Sequence, residues 1–130
     1  MRRNKDIGLD GELSLRVVAE ERYIPAEQEI GREWIMDLMD TAVRVAAGAR
    51  TRGGVRTATV MNVDFERLPK EGDVICVYTT IAHMGHTSVT VSVVTYALRC
   101  FLEQRVRLTT ADYVVVAVDD QGLPRMLPTT

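Results

Sequence analysis

The chain has 130 residues, of which 46% are hydrophobic and 26% charged, and its formal net charge is −2. This length supports one hydrophobic core, so we expect a single domain over residues 1–130. Aromatic residues make up only 5% and no basic stripe is present, so a nucleic-acid surface is disfavoured. No apolar run is long enough to span a bilayer.

The start of the chain and the cysteines indicate a cellular compartment. Residues 1–5 are basic but are followed by Asp6 and Gly8 rather than an apolar stretch, so we expect no signal peptide. Cys76 and Cys100 lie in apolar segments of β type, and secreted domains of this size usually carry denser disulfide frameworks. We therefore expect buried free thiols and a cytoplasmic protein.

The first predicted elements are a strand and one long helix. After a polar tail, residues 1–12, the alternation of residues 13–17 predicts a strand. Residues 20–30 are charged and predict a loop. A helix is expected from near Gly31 to about Gly48, because apolar residues recur at helical spacing and glycine can adopt the left-handed conformation that ends a helix.

The predicted helix carries its polar side chains on one arc. Asp37, Asp40, Thr41 and Arg44 fall on this arc, and apolar side chains cover the rest. So wide an apolar surface predicts a helix enclosed by a curved sheet, or by a sheet and a partner subunit. Without further information, Asp40 and Arg44 are most simply interpreted as an ordinary i,i+4 ion pair.

The chain after Gly54 predicts strands only. We expect them over residues 55–65, 74–81, 87–102 and 105–118, with turns at residues 70–73, 84–85 and 119–122 and a brief pairing of residues 123–127. The unbroken apolar end of the last long strand predicts an interior strand buried on both faces. One helix against an antiparallel sheet of five to six strands is an α+β arrangement.

Several short segments occur in an order that is specific when they are taken together. They are Trp34-Ile35-Met36, Met39-Asp40, Thr57, Phe65, residues 72–78, residues 85–88, Gln104-Arg105, Val116-Ala117-Val118-Asp119, Gly122 and Pro124-Arg125. This series resembles the bacterial cytosolic acyl-CoA thioester hydrolases, relatives of brain acyl-CoA hydrolase, over roughly residues 13–128. The resemblance implies a hotdog fold, in which a curved antiparallel sheet wraps one long helix, and hydrolysis of an acyl-CoA without a metal or organic cofactor.

The resemblance also implies roles for individual residues. Asp40 would act as the base or the nucleophile, and Thr57 would orient the water or the carboxylate. The oxyanion would be held by a backbone N–H at the helix N-terminus, which falls at Arg32. Free N–H groups and the positive end of the helix dipole suit a thioester oxygen that gains charge. Glu29, in the loop before the helix, is the competing catalytic carboxylate.

The segment before the helix departs from the family pattern. The family carries an asparagine, then a glycine-aspartate pair, then a glycine pair before the tryptophan; here these positions are Pro25, Gln28-Glu29 and Arg32-Glu33. Two long charged side chains thus replace glycines that let the substrate approach the backbone. Beside hydrolysis, two alternatives stay open: a non-catalytic acyl-CoA-binding protein and a purely structural hotdog module.

Further residues are expected to contact the coenzyme A moiety. By resemblance these are the turn Gly85, His86, Thr87 and Ser88, together with Arg67 and Arg105. The simpler interpretation of the arginines is solvated charge at a sheet edge. His83 and His86 flank a turn without a nearby cysteine or carboxylate cluster, so no metal site is expected.

The same resemblance implies an oligomer. A single hotdog sheet leaves an edge exposed, and in the family two protomers pair into a continuous sheet with the pockets at their interface. The predicted strand over residues 87–102 is also longer than one small sheet would cover. We therefore expect a homodimer or a trimer of dimers with shared sites, and neither a nucleic-acid nor a membrane partner.

Overall fold

The structure is a computed structural model that describes residues 11–20, 28–99 and 102–128, with the backbone alone for residues 28–30. The elements are β1 (Glu12–Val18), α1 (Gln28–Thr51), β2 (Val55–Phe65), β3 (Val74–Met84), β4 (Ser88–Arg99) and β5 (Gln104–Ala117). The predictions for the tail before Gly11, for Pro25 and for Cys100 lie outside the described residues. The predicted tail was one residue too long, because Glu12 already pairs with β3.

The five strands form one antiparallel sheet in the order β1-β3-β4-β5-β2. This agrees with the predicted five to six strands, and β5 is an interior strand, as predicted. Its side chains alternate between buried and half-buried, so within one chain only one of its faces is fully covered. The prediction that β4 is too long for one sheet was wrong, because β3 and β5 pair with it along its whole length.

The helix supplies the second layer and contacts all five strands. Its inward face is fully buried and consists of Ile35, Met39, Ala42, Val43 and Ala47. These side chains recur at helical spacing and pack against the alternate, inward-facing residues of the strands. The polar arc faces away from the core, as predicted, so the helix presents Asp40 at the border between core and solvent.

The helix ends later than predicted. Gly48 remains helical, and Arg52 adopts the left-handed conformation instead, with φ of 61°. The backbone N–H groups of Arg52 and Gly53 both donate to the Gly48 carbonyl, at 2.8 and 3.2 Å. The guanidinium of Arg125 donates to the carbonyl of Thr51 at 3.2 Å. This distant cation stabilises the helix C-terminus, where an arginine rather than a glycine takes the left-handed conformation.

The hairpin after β5 has the predicted turn and positions the end of the chain. Asp119 accepts backbone hydrogen bonds from Gln121 and Leu123 through its Oδ1, both at 2.9 Å. The returning segment then pairs at Pro124 with Val118. The backbone N–H of Leu127 donates to the carbonyl of His86 at 2.7 Å, so the C-terminal segment lies beside the β3–β4 turn.

Candidate active site

The middle of the helix and the start of β2 meet at a hydrogen-bonded carboxylate. Thr57 Oγ1 donates to Asp40 Oδ1 at 2.7 Å, and Arg44 Nε lies 3.1 Å from Asp40 Oδ2. A β-bulge follows Thr57, a feature that re-aims side chains at strand ends and near functional sites. The carboxylate is therefore fixed from the sheet on one oxygen and from the helix on the other.

This carboxylate remains accessible. The Asp40 side chain is 34% exposed and that of Arg44 is 54% exposed. Each carboxylate oxygen has two lone-pair positions, so each can accept one further hydrogen bond. A fixed, accessible carboxylate of this kind can take a proton from a water molecule. The structure thus brings together the two residues, Asp40 and Thr57, that the resemblance singles out.

Arg32 and Glu29 do not occupy the predicted positions. The helix begins at Gln28 rather than near Gly31, so Glu29 lies in its first turn and not in a loop. Its side chain lies outside the described residues. An α-helix leaves only its first four N–H groups without an intrahelical acceptor, and Arg32 is the fifth residue. The predicted helix N-terminus at Arg32 was therefore wrong, and its guanidinium lies 5.8 Å from the ring centre of Phe65.

Asp40 and the backbone of Arg32 lie about two helical turns apart. Eight residues separate them, which corresponds to about 12 Å of helix. An attacking water lies about 3 Å from the carbonyl carbon, and a donor to the carbonyl oxygen lies a similar distance from that oxygen. A carboxylate, the water, the carbonyl group and the donor in line span a comparable length.

The residues predicted to contact coenzyme A fall at opposite ends of the sheet. The turn at residues 85–88 leads into β4, and Val89 is level with Thr57 through the pairing of both with β5. Arg105 instead pairs with Leu98, about 30 Å further along β4. The turn thus lies at the same end of the sheet as Thr57, whereas Arg105 does not.

Arg105 and Arg67 differ in their surroundings. The Arg105 guanidinium stacks on Tyr96, with Cζ 3.6 Å from the ring centre, and lies 5.6 Å from that of Tyr78. Arg67 is exposed at the end of β2. Neither of the predicted ligand-binding arginines therefore lies beside the turn at residues 85–88.

A groove lies where the turn, the helix C-terminus and the C-terminal segment meet. Its volume is about 810 Å³, and it is lined by Ala49, Arg50, Arg52, Met84, Gly85, His86, Met126, Leu127 and Pro128. Two arginines and a histidine make this groove suitable for phosphate groups. Gly85 and His86 were predicted from the sequence, whereas Arg50 and Arg52 were not, because the helix was expected to end before them.

Tyr113 is a residue that the sequence analysis missed. It is 1% exposed, and within the described part of the chain its hydroxyl has no hydrogen-bond partner. Burial, and then the negative charges of Asp40 and Asp37, raise the pKa of Tyr113 to about 12. The available signal was a polar aromatic residue at an inward position of β5 that is otherwise filled by small or aliphatic residues.

Two further features were considered for the described residues: a metal site and a membrane-spanning helix. Among the described residues, no three His, Cys, Asp or Glu side chains come together as potential metal ligands. Within the same residues, no helix is long and apolar enough to cross a membrane. Cys76 is a buried free thiol, as predicted.

Known proteins resemble the chain in both sequence and structure. The thioesterase superfamily model matches residues 34–100. The acyl-CoA thioester hydrolase YciA of Salmonella typhimurium is 34% identical over 121 residues, which are 91% of each chain. The hexameric thioesterase y2039 of Yersinia pestis superposes with a TM-score of 0.86 and 35% identity, over 92% of this chain and 98% of that one.

The description of a third relative includes the name of its fold. The hexameric hotdog-fold thioesterase Cj0915 of Campylobacter jejuni superposes with a TM-score of 0.84 and 27% identity, over 92% of both chains. The predicted hotdog architecture is confirmed. With its family-model match and a relative 34% identical over nearly the whole chain, the protein belongs to the thioesterase superfamily.

Proposed function

We propose that this protein hydrolyses an acyl-CoA to the free acid and coenzyme A, with Asp40 as general base. The observation that carries the proposal is the accessible Asp40 carboxylate, held by a 2.7 Å hydrogen bond from Thr57. Membership in the thioesterase superfamily supports the reaction type. The YciA relative is named as an acyl-CoA thioester hydrolase, which supports the substrate class.

In the proposed reaction, Asp40 accepts a proton from a water molecule whose oxygen attacks the thioester carbonyl carbon. A C–O bond forms, the C–S bond breaks, and the proton ends on the thiolate sulfur of coenzyme A. Asp40 Oδ1 accepts a hydrogen bond from Thr57 and Oδ2 pairs with Arg44, and each oxygen keeps a lone pair that can take a proton. Thr57 and Arg44 would fix the plane of the carboxylate during this step.

The proposed site is shared between two copies of the chain. Because the N–H of Arg32 already has an acceptor within the helix, the donors that stabilise the oxyanion would come from the second protomer. Strand β2 is an edge of the sheet and exposes Val60, Met61 and Val63, which supports pairing of two sheets along this edge. We propose a homodimer or a trimer of dimers.

The proposed site for the phosphates of coenzyme A is the groove beside His86. Arg50 and Arg52 are exposed on its helical wall, and guanidinium groups form strong charge-assisted hydrogen bonds with phosphate. The turn is level with Thr57, so a ligand in the groove can extend toward Asp40. Arg67 and Arg105, at the far end of the sheet, could serve the same ligand only from another protomer.

Two further parts of the proposal concern cofactors and location. Hydrolysis needs no metal or organic cofactor here, and coenzyme A enters as part of the substrate. We place the protein in the cytoplasm, in keeping with the free thiol of Cys76. Activity that is unchanged after treatment with EDTA supports the cofactor proposal, and loss of activity that zinc or magnesium restores contradicts it.

One observation favours an acyl-CoA-binding protein without catalysis as the second candidate. The helix begins before Arg32 and Glu33, the positions at which the family has glycines. The N–H of Arg32 is therefore used in a hydrogen bond within the helix. A site altered in this way could hold the ligand but stabilise the oxyanion poorly.

The test is release of thiol from a panel of acyl-CoAs that vary in chain length and polarity, followed with a thiol-reactive dye. We expect the purified protein to turn over at least one member of the panel. Binding of coenzyme A without any turnover would support the second candidate instead. A protein that neither binds nor hydrolyses these compounds would be a structural module.

A further inference from the structure

Tyr113 lies on the inward face of the sheet, on the strand that pairs with the strand of Thr57. Thr57 pairs with Val115 on β5. Tyr113 precedes Val115 by two residues, so Tyr113 and Val115 lie on the same face of the sheet, the face that the helix covers. Tyr113 itself pairs with Val60, further along β2. Its ring therefore lies in the core between the sheet and the helix.

The electrostatic surroundings of the phenol agree with this placement. After burial, the largest influences on its protonation are the charges of Asp40 and then Asp37. Both raise the pKa of Tyr113, so the hydroxyl stays protonated at neutral pH. Tyr113 is thus available as a hydrogen-bond donor near the carboxylate.

This donor lacks an acceptor among the residues that the structure describes. The hydroxyl oxygen is buried and has no hydrogen-bond partner there, while Asp40 Oδ1 accepts from Thr57 and Oδ2 pairs with Arg44. A buried donor that lacks an acceptor is costly, and native proteins retain such groups where they serve a ligand or a bound water. A water between the phenol and the carboxylate would satisfy both groups.

We propose that Tyr113 donates a hydrogen bond to the water molecule that Asp40 deprotonates, and thereby fixes the position of that water. Tyr113 would then be a second positioning residue, on the core side of the site. Thr57 orients the carboxylate, and Tyr113 orients the attacking water. The proposal rests on the proposed hydrolysis by Asp40. It adds a residue that acts on the water rather than on the thioester.

The test is Tyr113→Phe, which removes the hydroxyl and keeps the ring. We expect kcat to fall about tenfold, the effect of one hydrogen bond of ordinary strength, while KM stays unchanged. The midpoint of urea unfolding should not decrease, because the lost hydroxyl has no protein partner. In the Asp40→Asn background the same substitution should change the residual rate by less than twofold, since both residues act on one water.

The matched control is Thr95→Val. Thr95 is fully buried, and its hydroxyl also has no partner among the described residues, but it pairs with Thr109 at the other end of the sheet from Thr57. Its kcat should equal that of the wild type.

The outcomes separate this proposal from the one on which it rests. A wild-type enzyme that hydrolyses acyl-CoA, together with a Tyr113→Phe variant of unchanged kcat, overturns the role of Tyr113 alone. The same holds for a Tyr113→Phe variant that fails to fold, and for equal losses in the wild-type and Asp40→Asn backgrounds. A wild-type protein without hydrolytic activity overturns both proposals.

Discussion

The hydroxyl of Thr57 donates a 2.7 Å hydrogen bond to Oδ1 of Asp40, across 17 positions of sequence. The contact joins the third residue of β2 to the middle of the helix. It leaves the carboxylate with a defined orientation at the border between core and solvent, where the proposed reaction needs a base.

Removal of this hydrogen bond should slow hydrolysis. Thr57→Val keeps the shape of the side chain but removes the donor, so kcat should fall about tenfold, on the scale of one lost hydrogen bond to a charged group. Thr57→Ser keeps the donor and should retain most of the activity. Steady-state rates of the two variants decide the matter, and equal activity in both would mean that the hydroxyl has no role.

Binding of coenzyme A should depend on the groove rather than on the far end of the sheet. Arg52→Ala removes a cation from the groove and should raise the Kd for coenzyme A by about three- to tenfold. Arg67→Ala is the comparison variant, and an effect smaller than that of Arg52→Ala would place the phosphates in the groove. Calorimetry at rising salt should also show weaker binding, because exposed phosphate contacts are screened. A larger effect of Arg67→Ala would move the phosphate site to the other end of β2.

Assembly should depend on the β2 edge. Met61 is 41% and Val63 39% exposed, and a lysine at either position would place charge against the neighbouring sheet. We expect Met61→Lys and Val63→Lys to lower the molar mass measured by light scattering. Val18→Lys, on the opposite edge strand β1, is the control, since Val18 is also exposed, at 53%. If Val18→Lys alone lowered the molar mass, the interface between protomers would lie on β1.

Stability at alkaline pH should report on Tyr113. Its pKa is raised to about 12 by burial and by the charges of Asp40 and Asp37, whereas an unfolded tyrosine titrates near 10. As the pH rises, Tyr113 therefore loses its proton first in the unfolded state. The contribution of Tyr113 to the unfolding free energy, which is present below about pH 10, is lost as the pH rises toward 12. Between about pH 8 and pH 11, the wild type should lose roughly 1.4 kcal/mol more unfolding free energy than Tyr113→Phe. Parallel losses in urea titrations would contradict the raised pKa.

Much of the fold could be predicted from the sequence. Hydrophobic spacing identified the helix and every strand, because apolar faces with periods of 3.6 and 2 reflect which side each element buries. The helix ends could not be predicted in this way. Gly48 offered a local stop, but the contact of Arg125 with Thr51 comes from residues 74 positions apart.

The candidate site was predictable only in part. The resemblance singled out Asp40 and Thr57, and the structure brings them together. It did not show that Arg67 and Arg105 lie far from the turn at residues 85–88, since this depends on strand order and register. Tyr113 was missed because its significance comes from burial next to two carboxylates, which is a property of packing.

The most direct test of the central claim is the rate of acyl-CoA hydrolysis by Asp40→Asn. This variant keeps the shape of the side chain but cannot accept a proton from water, so kcat should fall about a hundredfold or more. Its fold and its affinity for coenzyme A should be nearly unchanged. Asp37→Asn, an exposed carboxylate one turn earlier on the same helix, is the matched control and should remain active.

Glu29→Gln completes the experiment, because Glu29 is the competing carboxylate at the start of the helix. We expect a large loss of activity in Asp40→Asn alone, with Asp37→Asn and Glu29→Gln close to the wild type. Full activity in Asp40→Asn, with loss in Glu29→Gln, would contradict this expectation and place the base in the first turn of the helix.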